Sequence, residues 1–190
     1  VLISPGSSLN RDFERIPKNA VSIALLPALR FLAVKKFKPD FTAITDGNMD
    51  NLWHSKFIDT QGLTLIAAMS ACPQVIKKWG GRIVLADSGL EPEKNLGLEL
   101  GTFPMTGTVA AFGLQALLYF GCDPVILAGQ DFSLFRGISH CKGDFTEKIA
   151  EKKQNRLFPG ETVQYRFVKR DRMIRINEEI ETTEKLLYYK

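Results

Sequence analysis

The chain has 190 residues, 45% hydrophobic and 24% charged, a balance that excludes a disordered or fibrous chain and suits one large globular domain. No run approaches the 18 apolar residues of a membrane span, and Val1-Leu2-Ile3 gives way at once to Pro5-Gly6, unlike a signal peptide. A net charge of +4 is too mild for a nucleic-acid footprint; after position 141 there are 12 Lys and Arg against 9 Asp and Glu, a basic part that attracts phosphate or an acidic partner, or is simply solvated.

Val1 to Ser4 reads as a strand, broken by Pro5-Gly6-Ser7-Ser8 before a short helix from Leu9 to Ile16. Val21–Leu25 is a strand, Pro27–Lys35 a helix, and Phe41–Thr45 a strand ending at Asp46-Gly47-Asn48. Asn51–Phe57 reads as helix, Leu63–Ala67 as strand, Pro73–Trp79 as helix and Arg82–Leu85 as strand. Asp87–Thr102 reads as a long, mobile loop. Thr106–Phe120 carries the strongest helical pattern, stopped by Gly121 and followed by a buried strand over Val125–Ala128. Phe132–Phe145 is expected to be loop and Thr146–Asn155 a charged helix. Thr162–Val168 and Met173–Ile176 are expected to form a hairpin, with Asn177 capping a last helix that begins at Glu178.

Alternating strands and helices predict an α/β, Rossmann-like, doubly wound and mostly parallel sheet with helices on both faces. The strand ends at Ser4, Thr45 and Ala128 are expected to share one crevice. The expected division is a nucleotide-binding domain over 1–145 and a basic helix–hairpin–helix extension over 146–190, packed on the same domain. The sequence opens inside a strand and closes inside a helix, so it is read as a fragment of a longer protein.

Three cysteines, Cys72, Cys122 and Cys141, show no CxxC spacing and fit reduced thiols in the cytoplasm. With only His54 and His140, no zinc site is expected.

Candidate ligand-binding residues cluster at the strand ends. Gly6, Ser7 and Ser8 stand before a helix start, where free N–H groups meet phosphate, though the segment also suits a plain turn. Thr106, Gly107 and Thr108 open the best helix, as a cap, an anion site or both. Gly129, Gln130 and Asp131 follow the buried strand; Asp131 is placed to accept from a ribose, position a neighbour or cap a turn. Asp46 stands at a fourth strand end, or in an Asx turn. His140 is a general-base candidate in a polar loop, whereas His54 is read as structural. Cys141 adjoins His140, a spacing that does not suit a nucleophile–base pair. Arg11, Arg136 and Lys142 are candidate cations for a departing phosphate.

Thr106-Gly107-Thr108-Val109-Ala110-Ala111, Gly121-Cys122-Asp123-Pro124-Val125-Ile126-Leu127-Ala128-Gly129-Gln130-Asp131-Phe132 and Ser139-His140 together resemble the core of the bacterial motility-associated-factor (Maf) family, named together with the archaeal 6-hydroxymethylpterin diphosphokinases (MptE-like). Gly6-Ser7-Ser8-Leu9 resembles that family's Gly-Pro-Ser-Leu loop, with Ser7 where Pro is usual, and Lys38-Pro39-Asp40-Phe41 with Asp46 its Pro-Asp strand. The resemblance covers about residues 1–145. The pattern is also similar to bacterial sialyltransferases that use CMP-sialic acid.

The resemblance implies a transferase that moves a nonulosonic, sialic-type sugar from CMP to a hydroxyl acceptor, such as flagellin Ser or Thr, without a cofactor. Gly6, Ser7 and Ser8 would then meet phosphate or ribose. Thr106, Gly107 and Thr108 would meet phosphate and the sugar carboxylate, and Gly129 and Asp131 would border the nucleoside. Two alternatives stand beside it: a diphosphokinase that transfers diphosphate from ATP with Mg²⁺, and a non-catalytic nucleotide-binding module. The kinases carry an Asp-x-Asp-Gly cluster where this chain has Thr45-Asp46-Gly47, one carboxylate fewer.

Overall fold

The computed structural model describes residues 1–95, 98–104, 107–160, 162, 165 and 172–189. Its centre is a six-stranded parallel sheet in the order β5-β4-β3-β2-β1-β6. The strands are β1 (Leu2–Ile3), β2 (Ile23–Leu25), β3 (Phe41–Ile44), β4 (Thr64–Ala68), β5 (Arg82–Ala86) and β6 (Leu127–Ala128). Pairing is in register from Leu2↔Ile23 on one side of β1 to Leu2↔Leu127 on the other. The expected doubly wound, Rossmann-like α/β fold is the fold observed.

Both sheet faces are covered, which is why the central strands read as unbroken apolar runs rather than alternating ones. On one face Leu2, Ile23 and Leu25 pack beneath α6 (Val109–Tyr119), which supplies Phe112, Ala116 and Leu117. On the other, Ile3 and Ala24 meet Leu9 of α1 (Leu9–Asp12) and Phe31 and Leu32 of α2 (Leu29–Val34). Further along that face, Ile44, Leu65 and Ala67 meet Val75 of α4 (Pro73–Lys78) and Trp79, beyond the short α3 (Leu52–Ser55). Trp79 Nε1 donates to Leu63 O at 3.2 Å, so its one polar atom is satisfied inside the core.

The helix α6 starts where Thr108 Oγ1 accepts from Ala111 N at 3.3 Å, and it stops before Gly121, whose φ of +75° ends the right-handed spiral without a side-chain clash. A Cβ on Gly113 would lie 2.8 Å from Leu2 Cδ1, so glycine lets α6 sit low on β1. Phe112 is fully buried there. Its truncation to Ala would cost about 3–5 kcal/mol.

The structure departs from the sequence expectations in four places. The stretch from Asp87 to Thr102 is not simply loop: it holds α5 (Glu91–Lys94) and is pinned by Glu93. The Glu93 carboxylate accepts from Ser70 N at 2.8 Å, Ser88 N at 2.6 Å and Ser88 Oγ at 2.8 Å. Burial pushes its pKa up, but these bonds outweigh burial and hold it below the usual glutamate value.

The expected hairpin lies elsewhere. Thr162 and Tyr165, the described residues of its first arm, are helical, and 163–164 and 166–168 lie outside the described residues. Met173–Arg175 (β8) instead pairs antiparallel with Ile180–Thr183 (β9), which also pairs with Leu134–Phe135 (β7), inside the stretch read as loop. Asn177 caps no helix: its Oδ1 accepts from Glu179 N at 2.9 Å and Ile180 N at 2.8 Å, closing the β8–β9 turn. The last helix is Glu184–Tyr188, capped by Thr183 Oγ1 accepting from Leu186 N at 3.2 Å. The charged helix is α7 (Phe145–Lys153). Among the described residues no helix is long and apolar enough to cross a membrane.

Candidate functional site

The chain leaves β1 toward β2 on one side and returns, through α6, to β6 on the other. Adjacent loops at such a reversal part in opposite directions and leave a crevice at the strands' carboxyl ends. Here it is a cavity of about 280 Å³ whose lining includes Gly6, Thr108, Gly129, Gln130, Asp131 and His140. Six residues singled out from the sequence thus meet in one place, although they span positions 6 to 140.

Asp46 is not among the lining residues. β3 lies two strands from β1, roughly 10 Å away, so the expectation that its end shares the crevice does not hold. The Asp46 carboxylate accepts from Asn48 N at 2.9 Å, an Asx turn. Thr106 lies outside the described residues.

The first loop and the β6 end are knitted together. Ser4 N donates to Ala128 O and Gly6 N to Gly129 O, both at 2.8 Å. A Cβ on Gly6 would collide with Gly129 O and lie 2.7 Å from Asp131 Cγ; one on Gly129 would collide with Ser4 O. The close approach that these glycines permit is therefore made by the chain itself. Asp131 completes the contact: its carboxylate accepts from Ser8 N at 2.8 Å, Ser7 Oγ at 3.2 Å and Ser8 Oγ. Ser4 Oγ donates to Gln130 Oε1. The loop read as a phosphate cradle already holds an anion, the carboxylate of Asp131.

The other helix start differs. Gly107 has φ +88°, and a Cβ there would collide with Tyr189 Cε1 and stand 2.9 Å from Cδ1. Leu186 also lines the crevice, so the C-terminal helix borders its mouth. Thr108, Val109 and Ala110 present the first turn of the eleven-residue α6 to the cavity, where the helix dipole favours negative charge.

His140 is bridged antiparallel to Gly6, and Cys141 N donates to Pro5 O at 2.6 Å, so the histidine loop is stitched onto the first loop. Ser139 Oγ lies 2.7 Å from His140 Nδ1. Asp144, nearly fully buried, stands 3.9 Å from His140 Nδ1 and 3.7 Å from His54 Nδ1, beyond hydrogen-bonding reach but close enough to attract either ring when protonated. Burial lowers the His54 pKa against the opposing pull of Asp144, and His54 Nδ1 is buried with no hydrogen-bond partner among the described residues. Asp144 and Tyr189 escaped the sequence reading; the i, i+4 spacing of His140 and Asp144 was the one signal for the former.

Cys141 carries no nucleophile: burial first, then Asp144, pushes its pKa to about 12. The three candidate cations lie outside the crevice. Arg11 pairs with Asp12 at 2.9 Å, Arg136 with Glu179, and Lys142 lines a different cavity. No Lys or Arg is among the described lining residues, so a phosphate there would rely on N–H groups, hydroxyls and His140. A cavity of about 480 Å³, beside Trp53 and Phe57, contains none of the residues singled out from the sequence.

For a divalent cation the fit is poor. Among the described residues no three His, Cys, Asp or Glu side chains gather as ligands, Asp131 is committed to Ser7 and Ser8, and Asp46 is a single carboxylate.

Comparison with known proteins bears on this geometry. The solved structure of a Maf glycosyltransferase from Magnetospirillum magneticum AMB-1 is similar in fold, with TM-score 0.67 and 17% identity. The match covers 98% of this chain but 28% of that one. No curated protein matches. The family model described as 6-hydroxymethylpterin diphosphokinase MptE-like matches residues 1–137, a segment that holds the whole parallel sheet and the described lining of the crevice except Ser139, His140 and Leu186. The chain belongs to the MptE-like family.

Proposed function

We propose that the crevice binds a CMP-activated nonulosonic sugar and that the protein transfers the sugar to a hydroxyl, in the cytoplasm. The observation that carries this reading is the meeting of the α6 start, the β6 end and His140 around one cavity. The fold likeness to a Maf glycosyltransferase supports it. The acceptor oxygen attacks the anomeric carbon, the bond from that carbon to the phosphate oxygen breaks, and CMP leaves with the electron pair. His140 takes the hydroxyl proton, with Ser139 holding Nδ1. The first turn of α6 and the Thr108 hydroxyl stabilise the departing phosphate. Gly129 and Gln130 border the nucleoside. Asp131, bound to Ser7 and Ser8, acts as a positioning residue for that wall. Flagellin Ser or Thr is one acceptor of this class.

The family match favours a second reading, an ATP-dependent diphosphokinase. A thermal-shift comparison of CMP, CDP, ATP and GTP, with and without Mg²⁺, separates the two, since a ligand at 100 times its Kd stabilises by about 2.7 kcal/mol. CMP stabilisation without Mg²⁺ is expected; stabilisation by ATP alone, and only with Mg²⁺, would install the kinase. His140→Ala should lower turnover of CMP-pseudaminic or CMP-legionaminic acid roughly 10²–10⁴-fold with donor affinity little changed. Donor binding with no turnover by the wild type would leave a binding module.

A further inference from the structure

A second cavity, of about 380 Å³, adjoins the donor crevice, and among the described residues the two share one lining residue, His140. We propose that this second cavity is the acceptor site and that it takes a hydroxyl carried beside a positive charge. The inference rests on the crevice being the donor site. A base that takes a proton from one substrate while that substrate attacks another must reach both, and His140 is the residue placed to do so.

The walls set the chemistry of the occupant. Asp144, Glu147 and Glu151 recur at three- and four-residue steps from the residue before α7 to its last turn, and all three line the cavity. Asp144 is buried, Glu147 accepts from Gly143 N, and Glu151 is exposed with no ion pair or hydrogen bond among the described residues. Among the described lining residues these three carboxylates, of which Asp144 is already partnered, face one ammonium, Lys142, with Asn10 and Gln154 as neutral polar groups. Behind Asp144 the buried His54 has its pKa lowered, so it adds little positive charge near neutrality. Such a cavity repels phosphate and attracts an ammonium or guanidinium. The two cavities differ in charge: the donor crevice has the α6 start and one carboxylate, Asp131, already bonded to Ser7 and Ser8, and the acceptor cavity has three carboxylates.

The shared chemistry is a hydroxyl next to a cation, found in a Ser or Thr flanked by Lys or Arg and in a small amino alcohol. In either case the acceptor oxygen bonds to the anomeric carbon, CMP departs with the electrons of the broken bond, and the proton passes to His140.

The test is amide chemical-shift mapping on the 190-residue chain with four probes: acetyl-Lys-Ser-Lys-amide, acetyl-Glu-Ser-Glu-amide, ethanolamine and CMP. The Lys-flanked peptide, ethanolamine or both should shift Asn10, Lys142 and Gln154 saturably, and which of them binds tells peptide from amino alcohol. The Glu-flanked peptide should not bind. Glu151→Lys should weaken the cationic probe roughly fivefold, Glu151→Gln less, and added salt should weaken it too. Equal binding of the two peptides, shifts confined to residues outside this cavity, or no response to Glu151→Lys would overturn the proposal. CMP should shift Gly6 and Gly129. If CMP leaves those amides unmoved while the cationic probe still maps to the cavity, the donor reading falls and the cation-binding cavity stands.

Discussion

Two helix starts face the same crevice, and they look alike in sequence: Gly6-Ser7-Ser8 before α1 and Gly107-Thr108 before α6. In the first, a carboxylate of the protein itself accepts from Ser7 and Ser8, and the helix is four residues long. In the second, an eleven-residue helix opens onto the cavity, with an aromatic ring from the last helix's end laid over its glycine. A glycine-hydroxyl turn is thus a phosphate site only if its N–H groups are left for a ligand, and that depends on residues more than a hundred positions away.

The comparison breaks most readily at Asp131. Asp131→Ala strips the acceptor from Ser8 N, Ser8 Oγ and Ser7 Oγ, and should cost about 2–4 kcal/mol in urea denaturation. Sulfate should then stabilise the variant more than the wild type, because an external anion takes the vacated place. A variant as stable as wild type, and indifferent to sulfate, would show that the two starts do not differ in this way.

The next effect is at Gly107. Ala at φ +88° should cost roughly 1–2 kcal/mol from the backbone alone. Its Cβ also displaces the Tyr189 ring, so Tyr189→Ala should recover part of the loss in thermal melts, a non-additive pair. Strict additivity would mean that the ring does not rest on this glycine.

The smallest effect sharpens the contrast. Glu93 anchors the segment leading to α6 but not the first loop, so Glu93→Gln should cost about 1 kcal/mol and speed hydrogen exchange at Ser70 and Ser88 while sparing Ser8. The folded pKa of Glu93 lies below its unfolded value, so its stabilisation is full above about pH 4.3 and is lost as pH falls through the lower, folded value. The Gln variant should lack this component of the acid transition.

The sheet was legible because each strand is short, apolar and punctuated, and the signal for each lies within a few neighbours. That the strand ends at Ser4 and Ala128 border one crevice was legible for the same reason. What escaped is long-range. For Asp131 the sequence offers a ribose acceptor, a residue that positions a neighbour, or a turn cap; it holds Ser7 and Ser8, and nothing local shows that these partners lie 124 and 123 positions earlier. β7 is two residues long and gains its identity only from β9, more than 40 positions on. Asn177-Glu178-Glu179 carries the cap and acidic turn of a helix start, yet the same side-chain oxygen closes a hairpin, because both structures need one acceptor for two neighbouring amides. The Tyr189 ring over Gly107 left no local trace at either position.

The pairing of Leu2 with Leu127 has a consequence for the order of assembly. β1 is made before every other strand of the parallel sheet, and its partner on the crevice side follows 125 residues later. At about 5–20 residues per second the nascent chain carries that strand edge unpaired for roughly 6–25 s. The loop to be closed is long, so its entropic cost is met only after the local β2-to-β5 pairings are in place. The crevice is therefore the last part of the sheet to exist, and a chain halted before Ala128 has an open sheet edge where the finished protein has that crevice.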